Sequence, residues 1–140
     1  MSGKFFLDTN VFVYLFDPTA PFKARKAARL VRDAVDTGKG IVSYQVVQEF
    51  FNVAFRRFAQ PMNTAEAEQY LITVFRPLLA IHSSPALYVD ALRITGKHRL
   101  PWYDSIIVAS ALEGQCETLY SEDLQHGRKI EGLRIENPFA

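Results

Sequence analysis

The sequence predicts an α/β fold, with a parallel sheet between two layers of helices. Short apolar runs typical of buried strands alternate with longer segments of helical periodicity. The connections between them are short, which favours right-handed crossovers and a doubly wound sandwich. An apolar content of 49% in 140 residues suits one compact core, and no repeat or linker interrupts the chain. We therefore expect a single domain over residues 1–140.

The strands and helices can be assigned in order along the chain. Each strand is a short apolar run bounded by polar residues, Gly or Pro, and each longer helix has apolar residues at helical spacing. Pro21 and Pro85 suit the first turns of two helices, and Asn63 with Glu66 resembles a capping box at a third. The predicted strands are 5–7, 41–44, 78–82, 118–120 and 133–135, and the predicted helices are 11–16, 21–38, 45–58, 63–76, 84–96 and 102–112.

The composition indicates the cellular compartment of the protein but not its function. The single Cys116 cannot form an internal disulfide, and no signal peptide is visible at the first residues. We therefore expect the protein to be located in the reducing cytoplasm. No apolar run approaches the ~20 residues that a membrane helix needs. The formal net charge of +1 does not by itself indicate a nucleic-acid partner.

Four acidic residues stand where a parallel sheet would bring them together. Asp8 and Asp123 follow the first and fourth strands, Glu49 lies one turn into a helix, and Asp104 begins another. In open α/β sheets, ligands bind at the edge formed by the carboxyl ends of the strands. Each acid also has a purely structural interpretation: Asp8 or Asn10 as a helix cap, Asp104 as a helix-dipole acid, Glu49 in a solvated stripe and Asp123 in a turn.

Convergence of these four carboxylates would require a cation, because like charges in one crevice repel one another. The ligand set consists of oxygen atoms, with no paired Cys or His at zinc spacing, which favours Mg²⁺ or Mn²⁺. Such ions activate water and bind phosphate oxygens in phosphoryl chemistry. The sequence thus predicts a metal site for phosphoryl chemistry.

The acids lie in short segments whose order along the chain is informative. These segments are Asp8-Thr9-Asn10, Gln48-Glu49-Phe50, the run from Tyr103-Asp104-Ser105 to Ala111, Ser121-Glu122-Asp123-Leu124, and the closing residues 135–139. Their order resembles that of PIN-domain ribonucleases, and within that family the VapC-type toxins of bacterial toxin–antitoxin pairs. The similarity spans the whole chain.

The resemblance implies a metal-dependent endoribonuclease built as one PIN domain, a PIN-like α/β/α sandwich whose five-stranded parallel sheet has the order 3-2-1-4-5. It implies that Asp8, Glu49 and Asp104 bind the metal. The fourth acid would be Asp123 rather than Glu122, because the family pattern is Ser or Thr, any residue, then Asp. The supporting polar residues of the family fall at Asn10 and Ser121.

The resemblance also implies protein partners, namely a second copy of this chain and a small antitoxin lying in a hydrophobic groove, from which an arginine often reaches the acids. The helix at 45–58 carries more aromatic surface, at Phe51, Phe55 and Phe58, than one core-facing stripe requires, as is typical of partner sites. The RNA that is cut, the number of metal ions and the existence of an antitoxin gene stay open.

An RNA substrate approaching acidic residues needs cations nearby to position its phosphates. Each candidate on its own is more simply a residue of a solvated surface, whereas the group together could supply that charge. The candidates are Arg25, Lys26, Arg29, Arg32, Lys97, Arg99, Arg128 and Lys129.

Two other functions compete with the ribonuclease. A phosphatase of the haloacid-dehalogenase type also begins from an Asp after the first strand, but it needs a second Asp where Asn10 stands. It would form a phospho-aspartate that can be trapped. A non-catalytic RNA- or partner-binding module with the same fold is the second alternative. The complete set of four acids argues against that module. A Mn²⁺ titration would distinguish it from the ribonuclease, because a binding module need not bind Mn²⁺ at the acids.

Overall fold

The computed structural model describes residues 3–140 as a sheet flanked by helices. The first three strands are each followed by a helix, and the fourth and fifth strands are followed by a loop or turn that returns to the sheet. The elements are β1 (Phe5–Leu7), α1 (Thr9–Tyr14), α2 (Pro21–Thr37), β2 (Gly40–Ser43), α3 (Tyr44–Arg56), α4 (Thr64–Tyr70), a π-helical turn (Leu71–Phe75), α5 (Arg76–Leu78), β3 (Leu79–Ile81), α6 (Pro85–His98), α7 (Trp102–Glu113), β4 (Thr118–Tyr120), β5 (Lys129–Ile130) and β6 (Leu133–Glu136).

The sheet has the order β3-β2-β1-β4-β6-β5. All pairs are parallel except β5 with β6. The predicted fifth strand is β6, so the predicted order of the five parallel strands is confirmed. The additional strand β5 was not predicted, because two residues are too short to show an alternating pattern. It pairs with β6 through a tight turn in which Glu131 and Gly132 have φ values of 51° and 88°.

The central position of β1 determines what lies at the edge of the sheet. Leu7 is in register with Tyr120 of β4, and the Asp8 amide donates to the Tyr120 carbonyl at 3.0 Å. The chain leaves both strands at that point, so the residues that follow β1 and β4 are neighbours. Parallel pairing alone therefore brings Asp8 close to the loop that begins at Ser121.

Aromatic packing fixes α3 against the rest of the core. Phe50 is fully buried, and its ring lies 5.1 Å from that of Phe75 and 6.5 Å from that of Phe12, measured between centroids. Because Phe50 directly follows Glu49, this packing holds the start of α3 beside α1. Of the three aromatic residues expected to form surplus surface, Phe55 is 44% exposed, whereas Phe51 and Phe58 are partly buried and pack against the core.

The helix assigned to 63–76 extends further than expected. Asn63 forms the predicted capping box with Glu66, and the helix then passes through the π-helical turn into α5. Across residues 3–140, none of the helices is both long and apolar enough to cross a membrane.

Gly40 provides a test of the contact between α2 and β2. A Cβ atom at Gly40 would lie 2.1 Å from the Ala34 Cβ and 2.9 Å from a Phe5 ring carbon, so Gly40→Ala must separate α2 from β2. We expect a loss of about 1–3 kcal/mol in the free energy of unfolding, measured by denaturant titration. Gly96→Ala is the control: its Cβ would meet nothing within 4 Å inside α6, so it should be neutral or stabilise by up to about 1 kcal/mol. Equal effects of the two substitutions would contradict this packing.

Candidate active site

Asp8 is the most buried acid at the carboxyl edge of the sheet, with 5% of its surface exposed. One carboxylate oxygen accepts from the Thr9 amide at 2.7 Å, which caps α1. The other accepts from the Ser121 hydroxyl at 2.8 Å. The capping interpretation of Asp8 therefore describes one of its oxygens, while the second faces the loop after β4.

Glu49 points into the same region from α3 and does not belong to a solvated stripe. Its Oε1 atom accepts from the Thr9 hydroxyl at 3.2 Å and from the Gln45 amide at 3.3 Å. The Gln45 amide also lies 3.4 Å from the Tyr103 carbonyl oxygen, which joins α3 to the first turn of α7. Asp104 follows Tyr103 directly, so Gln45 links the elements that carry two of the acids. Gln45 was not among the predicted site residues.

Asp123 is exposed and is held by the two residues expected to support the acids. Asn10 donates from its side-chain amide to Asp123 Oδ2 at 3.2 Å. The Asp123 amide donates to the Ser121 hydroxyl at 3.2 Å, and that hydroxyl in turn donates to Asp8. Ser121 thus connects the first and the fourth acid.

The neighbouring acid Glu122 has a different environment. It forms a salt bridge of 2.7 Å with Lys23 and accepts from the Tyr14 hydroxyl at 2.5 Å. Although burial opposes the effect, hydrogen bonds from Lys23 and Tyr14 hold the pKa of Glu122 below its ordinary value. Lys23 and Tyr14 were not predicted, because nothing in the local sequence indicates contacts across 99 and 108 residues.

Burial and the charges of neighbouring acids raise the pKa values of Asp8, Glu49 and Asp104. Burial, reinforced by the charges of Asp123 and Glu49, raises the pKa of Asp8 to about 7. Burial followed by the charges of Asp104 and Asp123 raises the pKa of Glu49, and burial followed by Asp123 raises that of Asp104. In the part of the chain that the structure describes, no Lys, Arg or His forms a salt bridge with any of them. This environment would favour a bound cation.

The donor set fits Mg²⁺ or Mn²⁺ by its chemistry. It offers the carboxylate oxygens of Asp8, Glu49, Asp104 and Asp123, which are the ligands that these ions prefer. Within residues 3–140, however, no three His, Cys, Asp or Glu side chains are arranged closely enough to hold a metal ion. The fit therefore rests on the type of ligand and on the mutual repulsion of the acids, not on preformed coordination geometry.

A cavity of about 650 Å³ opens beside the acids between α1, α3 and the α1–α2 connection. Asn10, Glu49 and Asp123 line one part of it. Apolar side chains line much of the remainder, and Arg57 is the one Lys or Arg among its lining residues. Arg57 was missing from the predicted cations, since its position after α3 gave no signal of proximity to the acids.

None of the eight predicted RNA-binding cations lines this cavity. Lys26 and Arg29 border a separate depression of about 340 Å³ beside Tyr120. Arg128 donates to the His98 carbonyl at 3.0 Å, which places it near the end of α6. The remaining five are exposed side chains: Arg25, Arg32, Lys97, Arg99 and Lys129. Their role in binding RNA stays a prediction.

Comparison with known proteins identifies the family to which this arrangement belongs. A family model described as the PIN domain matches residues 5–130, and the chain therefore belongs to the PIN-domain family. A comparison with curated proteins found no match.

Solved structures of low sequence identity share the fold. VapC20 of Mycobacterium tuberculosis, described as a sarcin-ricin loop cleaving toxin, is 20% identical with a TM-score of 0.62, covering 84% of this chain and 88% of that one. A toxin–antitoxin complex from Klebsiella pneumoniae is 18% identical with a TM-score of 0.64, covering 95% and 96%. FitAcB from Neisseria gonorrhoeae is 17% identical with a TM-score of 0.61, covering 96% and 98%.

The pKa of Asp8 predicts a pH-dependent stability. Between its ordinary value of 3.8 and about 7, the folded state holds a proton on Asp8 that the unfolded state has released. In metal-free buffer, the free energy of unfolding of the wild type, relative to Asp8→Asn, should therefore fall as the pH rises from about 4 to about 7. Denaturant titrations at several pH values measure this difference. A difference that stays constant over the range would contradict the assignment.

Proposed function

We propose that the protein is a metal-dependent endoribonuclease that hydrolyses RNA phosphodiester bonds, and that it acts as the toxin of a type II toxin–antitoxin pair. One observation carries the proposal: four carboxylates from different elements lie near the carboxyl edge of a PIN-domain sheet, where burial and neighbouring acidic charges raise the pKa values of Asp8, Glu49 and Asp104. Such an arrangement is costly for stability unless it binds a cation.

Each acid has a role in the proposed reaction. Asp8, Glu49, Asp104 and Asp123 would hold one or two Mg²⁺ or Mn²⁺ ions. The chemistry that such an ion would supply is activation of water for attack on phosphorus and stabilisation of charge on the leaving oxygen.

The surrounding polar residues would orient those ligands. Ser121 and the Thr9 amide fix both oxygens of Asp8, so its carboxylate cannot rotate freely. Gln45 restrains Glu49, and Asn10 restrains Asp123. Restraint of this kind keeps metal ligands in place, and its loss typically costs about 10- to 100-fold in metal affinity or activity.

The toxin assignment draws on the solved relatives, two of which are a toxin and a toxin–antitoxin complex. The proposed protein partners are a second copy of the chain and a small antitoxin, and the proposed location is the cytoplasm. Exposed apolar side chains support such contacts, because patches of this kind often mark partner sites: Phe55 on α3, and Val89 and Leu92 on α6.

Cleavage of a mixed RNA pool, tRNA included, tests the activity. With Mg²⁺ or Mn²⁺ we expect discrete cuts, and Asp104→Asn should reduce the rate by about 100-fold or more because it removes a proposed metal ligand. EDTA should abolish the cuts, and mapping them would name the substrate. Undiminished cleavage by purified Asp104→Asn would refute the proposal. Absence of both cleavage and Mn²⁺ binding would favour the non-catalytic module. Trapping of a phospho-aspartate would favour the phosphatase.

The loop after β4 offers a matched pair that tests the fourth ligand. Asp123→Asn should weaken Mn²⁺ binding, measured by calorimetry, by about tenfold or more, because Asp123 faces the other acids. Glu122→Gln should leave the Mn²⁺ affinity within about threefold of the wild-type value, because the Glu122 carboxylate already accepts hydrogen bonds from Lys23 and Tyr14. A larger effect from Glu122→Gln than from Asp123→Asn would reverse the assignment.

A further inference from the structure

Arg57 shares one helix face with the acid Glu49. Glu49, Val53 and Arg57 are spaced four residues apart, and all three line the 650 Å³ cavity. Eight residues of α-helix correspond to about 12 Å along the axis. The cavity therefore joins the acid cluster to a cation that lies about 12 Å further along α3.

The guanidinium of Arg57 is available to a ligand. Within residues 3–140 it takes part in no salt bridge or side-chain hydrogen bond. Asp17 also lines the cavity, but its carboxylate accepts from the amide and the hydroxyl of Thr19, at 2.9 and 2.6 Å. By contrast, Lys23, a cation near the acid loop, is already paired with Glu122.

The wall between the two ends is apolar. Val13, Val53 and Phe58 line it, and the Phe58 ring stacks on that of Phe16 at a centroid distance of 5.0 Å. Nucleobases of every type can stack on aromatic and apolar surfaces. A cavity of this volume is typical of small-molecule sites. The cavity thus combines an end that carries Arg57, an apolar wall and an end that carries Glu49 and Asp123.

We propose that this cavity is a nucleotide subsite in which Arg57 binds an RNA backbone phosphate close to the one that is cleaved, while the apolar wall receives a base. The inference rests on the proposed function, since hydrolysis requires a phosphodiester at the acids. Guanidinium pairs with phosphate through two parallel hydrogen bonds, which adds geometric specificity as well as affinity. An acidic peptide could pair with Arg57 too, but it has no phosphodiester for the proposed metal site at Glu49 and Asp123 to bind and cleave.

Arg56 is a matched control, because it is adjacent, exposed and equally charged but does not line the cavity. Binding of a short fluorescent single-stranded RNA is measured by anisotropy at several salt concentrations, with Mg²⁺, in the Asp104→Asn background so that the RNA is not consumed. Arg57→Ala should weaken binding about tenfold and reduce the salt slope by about 0.7, the value for one phosphate contact on a single strand. Arg56→Ala should stay within about twofold, and Arg57→Lys should keep the salt slope.

Equal effects of Arg57→Ala and Arg56→Ala would overturn the subsite, and so would a failure of RNA to bind the Asp104→Asn protein. Loss of polyglutamate binding in Arg57→Ala with RNA binding unchanged would overturn it in favour of an acidic protein partner. The proposed function fails by a separate result, namely RNA that binds with the expected Arg57 dependence but is not cleaved by the wild type.

Discussion

The burial of the Asp8 carboxylate is the constraint on which the rest of the site depends. Burying a charged group is unfavourable unless it is paired, and a carboxylate responds by raising its pKa. Here, two hydrogen bonds, from the Thr9 amide and the Ser121 hydroxyl, do not compensate for burial, and the pKa rises to about 7. The fold therefore holds a carboxylate whose charged form is disfavoured below about pH 7 and would be stabilised by a nearby cation.

The three consecutive residues Asp8, Thr9 and Asn10 organise the acids through contacts with distant parts of the chain. Asp8 accepts from Ser121, the Thr9 hydroxyl donates to Glu49, and Asn10 donates to Asp123. All three side chains can reach these partners because β1 is central in the sheet and α1 begins immediately after it. One turn of chain thus fixes acids that are 40 and 113 residues away.

The sequence predicted those features of the fold and the site that depend on local sequence pattern. The five parallel strands, the helix starts and the approach of Asp8 to the loop after β4 follow from apolar periodicity and strand order. The sequence did not reveal the two-residue strand β5, the salt bridge of Lys23 with Glu122, or the bridging role of Gln45. Strand β5 is too short to show a pattern, and the contacts of Lys23 and Gln45 join groups across long sequence separations, for which a single sequence carries no signal.

The distribution of charge within the fold bears on how RNA would reach the acids. A formal net charge of +1 conceals a segregation, since the acids cluster at one edge and the eight predicted cations lie outside the cavity beside them. Long-range attraction from those cations can bring RNA to the surface, but it is screened within about 8 Å at physiological salt and carries no directional information. In the proposed subsite, a cation inside the cavity would set the register of the RNA at the acids, and Arg57 is the one Lys or Arg that lines it.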